Sequence, residues 1–234
     1  MDPKRPPEIA YFHLKEAILD LHYKPQAPLR TQAIASNLGL SRTPVREALN
    51  RLEQEGLVLR NEGCGYVVRS ISIKEAMDIY EMRELLEVKA AREAARRISR
   101  NEINSLRAIL KRAEMNLLQR RPKDCRDQNR AFNILIARAA GNACLEGMLS
   151  SLADRTRWLG SMITDRHTTR PQEALQAHRK ILDALEAADS EAAAIATKAL
   201  VVGARESFME YVMSATAHNE ISSAFRPALS AYVA

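Results

Sequence analysis

The stretch IASNLGLSRTPVREALNRLEQEGLV, residues 34–58, decides the fold of the N-terminal part. Its first turns belong to TQAIASNL (31–38), a short helix with Thr31 as the expected N-cap. Gly39 supplies a tight turn. Ser41 is placed to cap a further helix starting near Thr43, with Pro44 in its first turn, where a missing N–H is harmless. That helix runs through VREALNRLEQE and stops at Gly56. Two helices joined by a short glycine turn have the form of a helix-turn-helix.

Working outward, EIAYFHLKEAILDLH (8–22) spaces Ile9, Phe12, Leu14, Ile18 and Leu21 as one face of a helix that Pro25 and Pro28 bring to an end. On the other side, LVLR and YVVRS flank the turn NEGCG, which reads as a β-hairpin. Three helices and a hairpin make a winged helix-turn-helix, assigned to residues 1–72. From Ile73 the pattern changes to alanine-rich helical segments at about 74–98, 102–120, 124–140, 142–164, 172–188 and 190–213. Breaks fall near Ser99, Pro122, Gly141, Pro171 and Asp189. Residues 73–234 are therefore expected to form an all-α antiparallel bundle with a less regular tail after 213. The whole chain is mainly α.

With 46% apolar and 27% charged residues, the chain falls in the globular rather than the disordered class. No apolar run approaches the ~20 residues of a membrane span, and MDPKRPPEIAYF lacks the apolar core of a signal peptide. Cys64, Cys125 and Cys144 are an odd number without a CxxC pair, which fits a reducing cytoplasm better than a disulfide framework. The net charge of +6 divides into +2 over residues 1–70 and +4 over the rest, so charge alone does not locate a nucleic-acid face.

The helix that begins near Thr43 carries the recognition chemistry. Arg42, Thr43 and Arg46 sit at the end that enters the major groove in a helix-turn-helix. Each arginine can bond O6 and N7 of guanine with its fork. Open N–H groups at the helix start, with the Ser41 and Thr43 hydroxyls, suit phosphate oxygens. Arg30, Asn50 and Arg51 are further phosphate candidates, and Gly63 and Gly65 let the wing backbone approach a minor groove. The competing reading keeps Arg42 and Arg46 as solvated helix arginines, Arg46 pairing with Glu47 or Asn50. Cys64, at the wing tip, reads as an incidental surface thiol.

The segment SRTPVREAL, with the wing residues Gly63, Gly65, Tyr66 and Val67, resembles the GntR family of bacterial regulators. YEMRELLEVKAAREAA, FNILIARAAGN and AHRKILDALEAAD resemble the FCD ligand-binding domain of its FadR-type branch. Together the resemblance covers residues 8 to about 213. It implies a homodimer that binds a short palindrome of double-stranded operator DNA and answers to a small-molecule effector. It also implies that Arg42, Thr43, Arg46 and the wing glycine contact DNA. Many FCD domains hold a metal with an Asp and a His four apart on one helix and a His on each of two later helices. Here those positions fall on Asn129, Asn133, His178 and Leu200. One ligand of four survives, so no metal and no other cofactor is expected.

Asn129, Asn133 and His178 are then candidates to bond the effector directly. His178 shares a face with Leu175, Ile181, Leu182 and Leu185, so a hydrogen-bonded core histidine is the competing reading. Arg83 lies on a mostly apolar face with Ile79, Tyr80, Leu86 and Glu87. It either pairs with Glu87 or grips an anionic effector through its fork. Arg155, Arg157 and Trp158 are weaker pocket candidates. Enzymatic function is not expected, because GxSxG, P-loop, HExxH and dinucleotide fingerprints are all missing from the sequence. The remaining alternatives are a helical ligand-binding or protein-interaction module without operator binding, or a small-molecule enzyme of another kind.

Overall fold

The computed structural model describes residues 5–63, 65–164 and 170–217. They divide into two compact units, with the boundary between Ile73 and Lys74. The first contains α1 (Pro6–Leu19), α2 (Thr31–Leu38), α3 (Arg42–Gln54), β1 (Val58–Asn61) and β2 (Gly65–Val68). Helix α1 packs against α3 through Tyr11, Leu14 and Ile18, which meet Val45, Leu49 and Leu52 in a shared core. Leu14, Ile18, Leu49 and Leu52 are fully buried, each contributing roughly 1.5–3 kcal/mol by leaving water.

Three local expectations need correction. Ile9 and Phe12, placed on the inner face of α1, are 43% and 44% exposed, while Ala10, Tyr11 and Ala17 are buried. Small residues let α1 approach closely, so the inner face is rotated from the one that the bulky residues mark. Leu21 lies beyond the helix with φ 61°. Thr31 is the first residue of α2 and Arg30 occupies the N-cap position, while α3 starts at Arg42 with Ser41 at its N-cap.

Gly39 has φ 64° and ends α2. This left-handed geometry lets Leu40 N–H bond the Ala35 carbonyl, and only glycine adopts it without a Cβ penalty. β1 and β2 pair antiparallel with Val58 opposite Val68 and Asn61 opposite Gly65. On its other edge β2 receives hydrogen bonds from residues 26–29, as Leu29 N–H donates to the Tyr66 carbonyl and Gln26 N–H to that of Val68. The base of the wing is thereby held on both sides.

The second unit is built from α4 (Ile73–Ala94, from Lys74 on), α5 (Arg100–Leu118), α6 (Pro122–Ala139), α7 (Ala143–Thr164), α8 (Arg170–Glu186) and α9 (Ser190–Ala217). Ser99 caps α5. Its hydroxyl accepts from Glu102 N–H and its own N–H donates to the Glu102 carboxylate at 2.8 Å, satisfying two donors that the helix start would otherwise strand. Leu106, Phe132, Ile136, Ile181, Leu182 and Ala90, Ala91 and Ala94 of α4 form one core, in which α5 packs on α6 and α8, and α8 on α9. The rings of Tyr80 and Phe208 meet at a tilt of 50° with their centres 5.9 Å apart. Among the described residues no helix is long and apolar enough to cross a membrane. The tail beyond 217 and Cys64 lie outside the described residues.

Candidate nucleic-acid interface and ligand cavity

Helix α3 buries Val45, Ala48, Leu49 and Leu52, a spacing that defines one face. Ser41, Arg42, Thr43 and Arg46 therefore stand on the exposed side of its first turns. The Ser41 side chain makes no capping hydrogen bond, so the first N–H groups of α3 are not consumed by that hydroxyl. Arg30, at the N-cap of α2, is exposed as well. Gly63 and Gly65 are exposed in the wing turn. Gly63 N–H bonds the Asn61 side chain at 3.0 Å, and Gly65 has φ 87°, a value that a side chain would strain.

Two of the sequence candidates have intramolecular work. Arg51 donates to Glu55 at 3.3 Å and its guanidinium stacks 3.6 Å from the centre of the Tyr11 ring, which directs it toward α1. Asn50 Oδ1 accepts from Arg60 Nη2 at 3.1 Å and from the Tyr66 hydroxyl. Arg60 also pairs with Glu53 at 3.0 Å. A side-chain tether thus runs from both strands of the hairpin to α3. Spacing within α3 gives no hint of it, because its partners lie in separate elements.

In the helical unit, five helices line a partly open cavity of about 190 Å³. Arg83, Asn129, Asn133 and His178 all line it, and so does Leu200. The four positions that correspond to the family's metal ligands therefore converge on one space. Their chemistry does not suit a transition metal: two amides, one imidazole and one alkyl side chain. His178 Nε2 stands 3.3 Å from Asn133 Oδ1, and its ring packs edge-on against Phe132 at 4.7 Å. Asp127, the nearest carboxylate in register, is not among the lining residues. Among the described residues no group of three or more His, Cys, Asp or Glu side chains could hold a metal ion.

Arg83 is 6% exposed and donates from Nε to Glu87 Oε1 at 2.7 Å, one helical turn on. Both line the cavity. Burial works against the charged guanidinium, but the Glu87 charge and hydrogen bond outweigh it and hold the Arg83 pKa above its ordinary value. The pairing and the cavity placement hold together, so the two readings of Arg83 do not exclude each other.

Arg157 of α7, 9% exposed and named above as a weaker candidate, lines the cavity. Two further cations were left unmarked by helix patterning: Arg126 and Arg130 of α6 line it beside Asn129 and Asn133. The spacing 126, 129, 130, 133 on one helical face is the signal that would have found them. Arg155 and Trp158 are not among the lining residues, and Trp158 is fully buried in the core instead. Cys125 is buried at the edge, where its thiol donates to the Ala113 carbonyl at 3.2 Å and burial pushes its pKa up, as for an unreactive thiol.

A winged helix with an open arginine-bearing helix, in a chain whose other unit holds a mainly apolar cavity with arginine, amide and imidazole groups in its wall, defines a DNA-binding regulator with an effector domain. Comparison with known proteins makes this specific. The model of bacterial regulatory proteins of the gntR family matches residues 8–68, and the FCD domain model matches residues 78–203. The chain belongs to the GntR family of bacterial transcriptional regulators, in the FadR-type branch that carries an FCD domain.

It is 26% identical to the HTH-type transcriptional regulator YdhC of Bacillus subtilis over 78% of this chain and 82% of that one. It is 29% identical to the "Probable D-xylose utilization operon transcriptional repressor" of Paenarthrobacter nicotinovorans over 71% and 73% of the two chains. The solved structure of McbR/YncC from Escherichia coli shares the fold with a TM-score of 0.77 at 21% identity, covering 89% of this chain and 99% of that one. The relatives from Bacillus subtilis and Paenarthrobacter nicotinovorans are both named as transcriptional regulators, not as enzymes.

Proposed function

We propose that this regulator is a cytoplasmic homodimer that represses transcription from a short palindromic operator and releases it on binding a small organic anion, without a metal. The observation that carries the DNA half is the exposure of Arg42, Thr43 and Arg46 on the side of α3 opposite its buried face. Arg42 and Arg46 read base edges. Ser41, Thr43 and Arg30 hold phosphates, and the Gly63–Gly65 turn enters the minor groove. A dimer places two such helices against two half-sites. Arg51 is left out of the interface, and Asn50 acts on DNA through the wing it positions.

On the effector side, the cavity is lined by four arginines and two glutamates, and Asn129, Asn133 and His178 add neutral hydrogen-bonding groups. Such a lining favours an anion. Without a metal to neutralise it, arginine side chains supply the positive charge. Repression is the mode named for the relative from Paenarthrobacter nicotinovorans. The effector must bind one arrangement of the dimer better than the other, or nothing shifts.

Selection of duplexes from a random library by the purified chain tests the reading. The expected outcome is a two-fold symmetric sequence bound by two chains, with affinity falling steeply as salt rises because phosphate contacts release counterions. Recovery of no common sequence, or occupancy of a single half-site by one chain, would overturn it.

A further inference from the structure

We propose that Arg126 and Arg130 form the oxyanion subsite of the cavity, separate from the Arg83–Glu87 pair, and that they hold the carboxylate or phosphate group of the effector. The inference rests on the reading of this cavity as the effector site. Helices α6 and α7 are joined only by the turn at residues 140–142, so they form an antiparallel hairpin. Arg130 Nη2 reaches Asp154 of α7 at 3.5 Å. Arg126 lies four residues before Arg130, and Arg157 three residues after Asp154. The same pairing therefore brings Arg126 and Arg157 to one level of the hairpin. All three arginines line the cavity.

Glu87 already engages Arg83 in a buried ion pair at 2.7 Å. Glu146, the other acidic lining residue, pairs outward with Arg138 at 3.4 Å. Arg130 has only the long contact to Asp154 among the described residues, and its buried Nε has no hydrogen-bond partner there. A buried guanidinium N–H needs an acceptor, and a carboxylate or phosphate accepts from such a fork with two oxygens. At 1.5 Å rise per residue, Arg130 and Arg126 stand about 5 and about 10 Å along α6 from Asn133. An effector with its oxyanion at the arginines therefore reaches Asn133 and His178 with neutral polar atoms. Its apolar body lies against Leu149, Leu152 and Leu200. The ligand class is a small organic acid or phosphate ester that carries a neutral hydrogen-bonding group at its other end.

The test is thermal denaturation of the full chain at constant ionic strength with four probes: acetate, succinate, citrate and inorganic phosphate. At least one should raise the Tm of the wild type saturably, and the better class, carboxylate or phosphate, identifies the oxyanion. Arg126→Gln and Arg130→Gln should each weaken the apparent affinity roughly tenfold or more, as expected for loss of a charge-assisted hydrogen bond. Arg130→Lys should recover part of it, since the charge returns without the fork. Lys111→Gln, on the exposed surface of α5, controls for overall charge. Tm values without anion establish that the variants fold. Stabilisation that survives unchanged in both glutamine variants, or is lost equally in Lys111→Gln, would overturn the subsite while leaving the anionic reading of the cavity in place. A wild type that none of the four anions stabilises would overturn that reading itself.

Discussion

Asn133 Oδ1 and His178 Nε2 lie 3.3 Å apart, and both side chains line the cavity, so an amide rather than a second imidazole or a carboxylate stands beside the one histidine. A zinc site needs three or four nitrogen, sulfur or carboxylate donors directed at one point, and this chain offers one imidazole. The expected outcome is that the purified regulator retains only substoichiometric zinc after dialysis and gains no thermal stability when zinc is added. The combined variant N129D/N133H/L200H supplies the missing donors and should show a zinc-dependent rise in Tm. Stoichiometric zinc in the wild type, lost on replacing His178, would contradict this.

The Arg83–Glu87 pair predicts an asymmetric mutational response. Both side chains are nearly enclosed, 8% and 12% exposed. Arg83→Ala leaves the Glu87 carboxylate buried without its cation, a loss of about 3 kcal/mol, at the low end for a broken buried pair because water can enter the cavity. Arg83→Met together with Glu87→Leu removes both charges and should cost less than Arg83→Ala alone. Chemical denaturation of the three proteins measures the difference. If Arg83→Ala keeps full stability but loses effector response, the pairing is subordinate and Arg83 serves the ligand directly.

How much of this was legible in the sequence depends on whether a feature lies within one element. The open face of α3 follows from the spacing of Val45, Ala48, Leu49 and Leu52, so Arg42 and Arg46 are readable as exposed. Asn129, Asn133 and His178 are readable as neighbours only through the family resemblance, because they lie on α6 and α8, which meet only through tertiary packing. Arg126 and Arg130 look like solvated helix arginines in the sequence, and only the cavity formed when α6 packs on other helices brings them to its wall. Ile9 and Phe12 show the reverse failure. They fit an inner stripe by size and spacing, yet alanine and Tyr11 take that place because α1 packs close to α3.

The Tyr66–Asn50 hydrogen bond, supported by Arg60, sets the wing relative to α3. Tyr66→Phe keeps the ring and removes the donor, at a cost to stability of about 1 kcal/mol. Its effect on DNA should be local. Hydroxyl-radical footprinting is expected to show weaker protection of the minor-groove flanks with unchanged protection of the central major-groove contacts. Uniform weakening of the whole footprint would mean that the bond only stabilises the fold.

Arg42 and Arg46 differ from every other arginine considered for the interface in having exposed positions at the start of α3 and no ion pair to a neighbouring carboxylate among the described residues. Arg51, by contrast, is engaged with Glu55 and Tyr11. If Arg42 and Arg46 read guanines through their forks, Arg42→Ala and Arg46→Ala should each cost about 1–3 kcal/mol of operator affinity and relax the preference at one base pair per half-site. Arg51→Ala should leave base preference unchanged and act on stability. Competition binding with single-base operator variants separates these effects. An arginine that only touches phosphate would lower affinity for all variants alike and reduce the salt slope, whereas a base reader lowers it most for the wild-type base. Wild-type affinity and base preference in both Arg42→Ala and Arg46→Ala would remove the start of α3 from the operator interface.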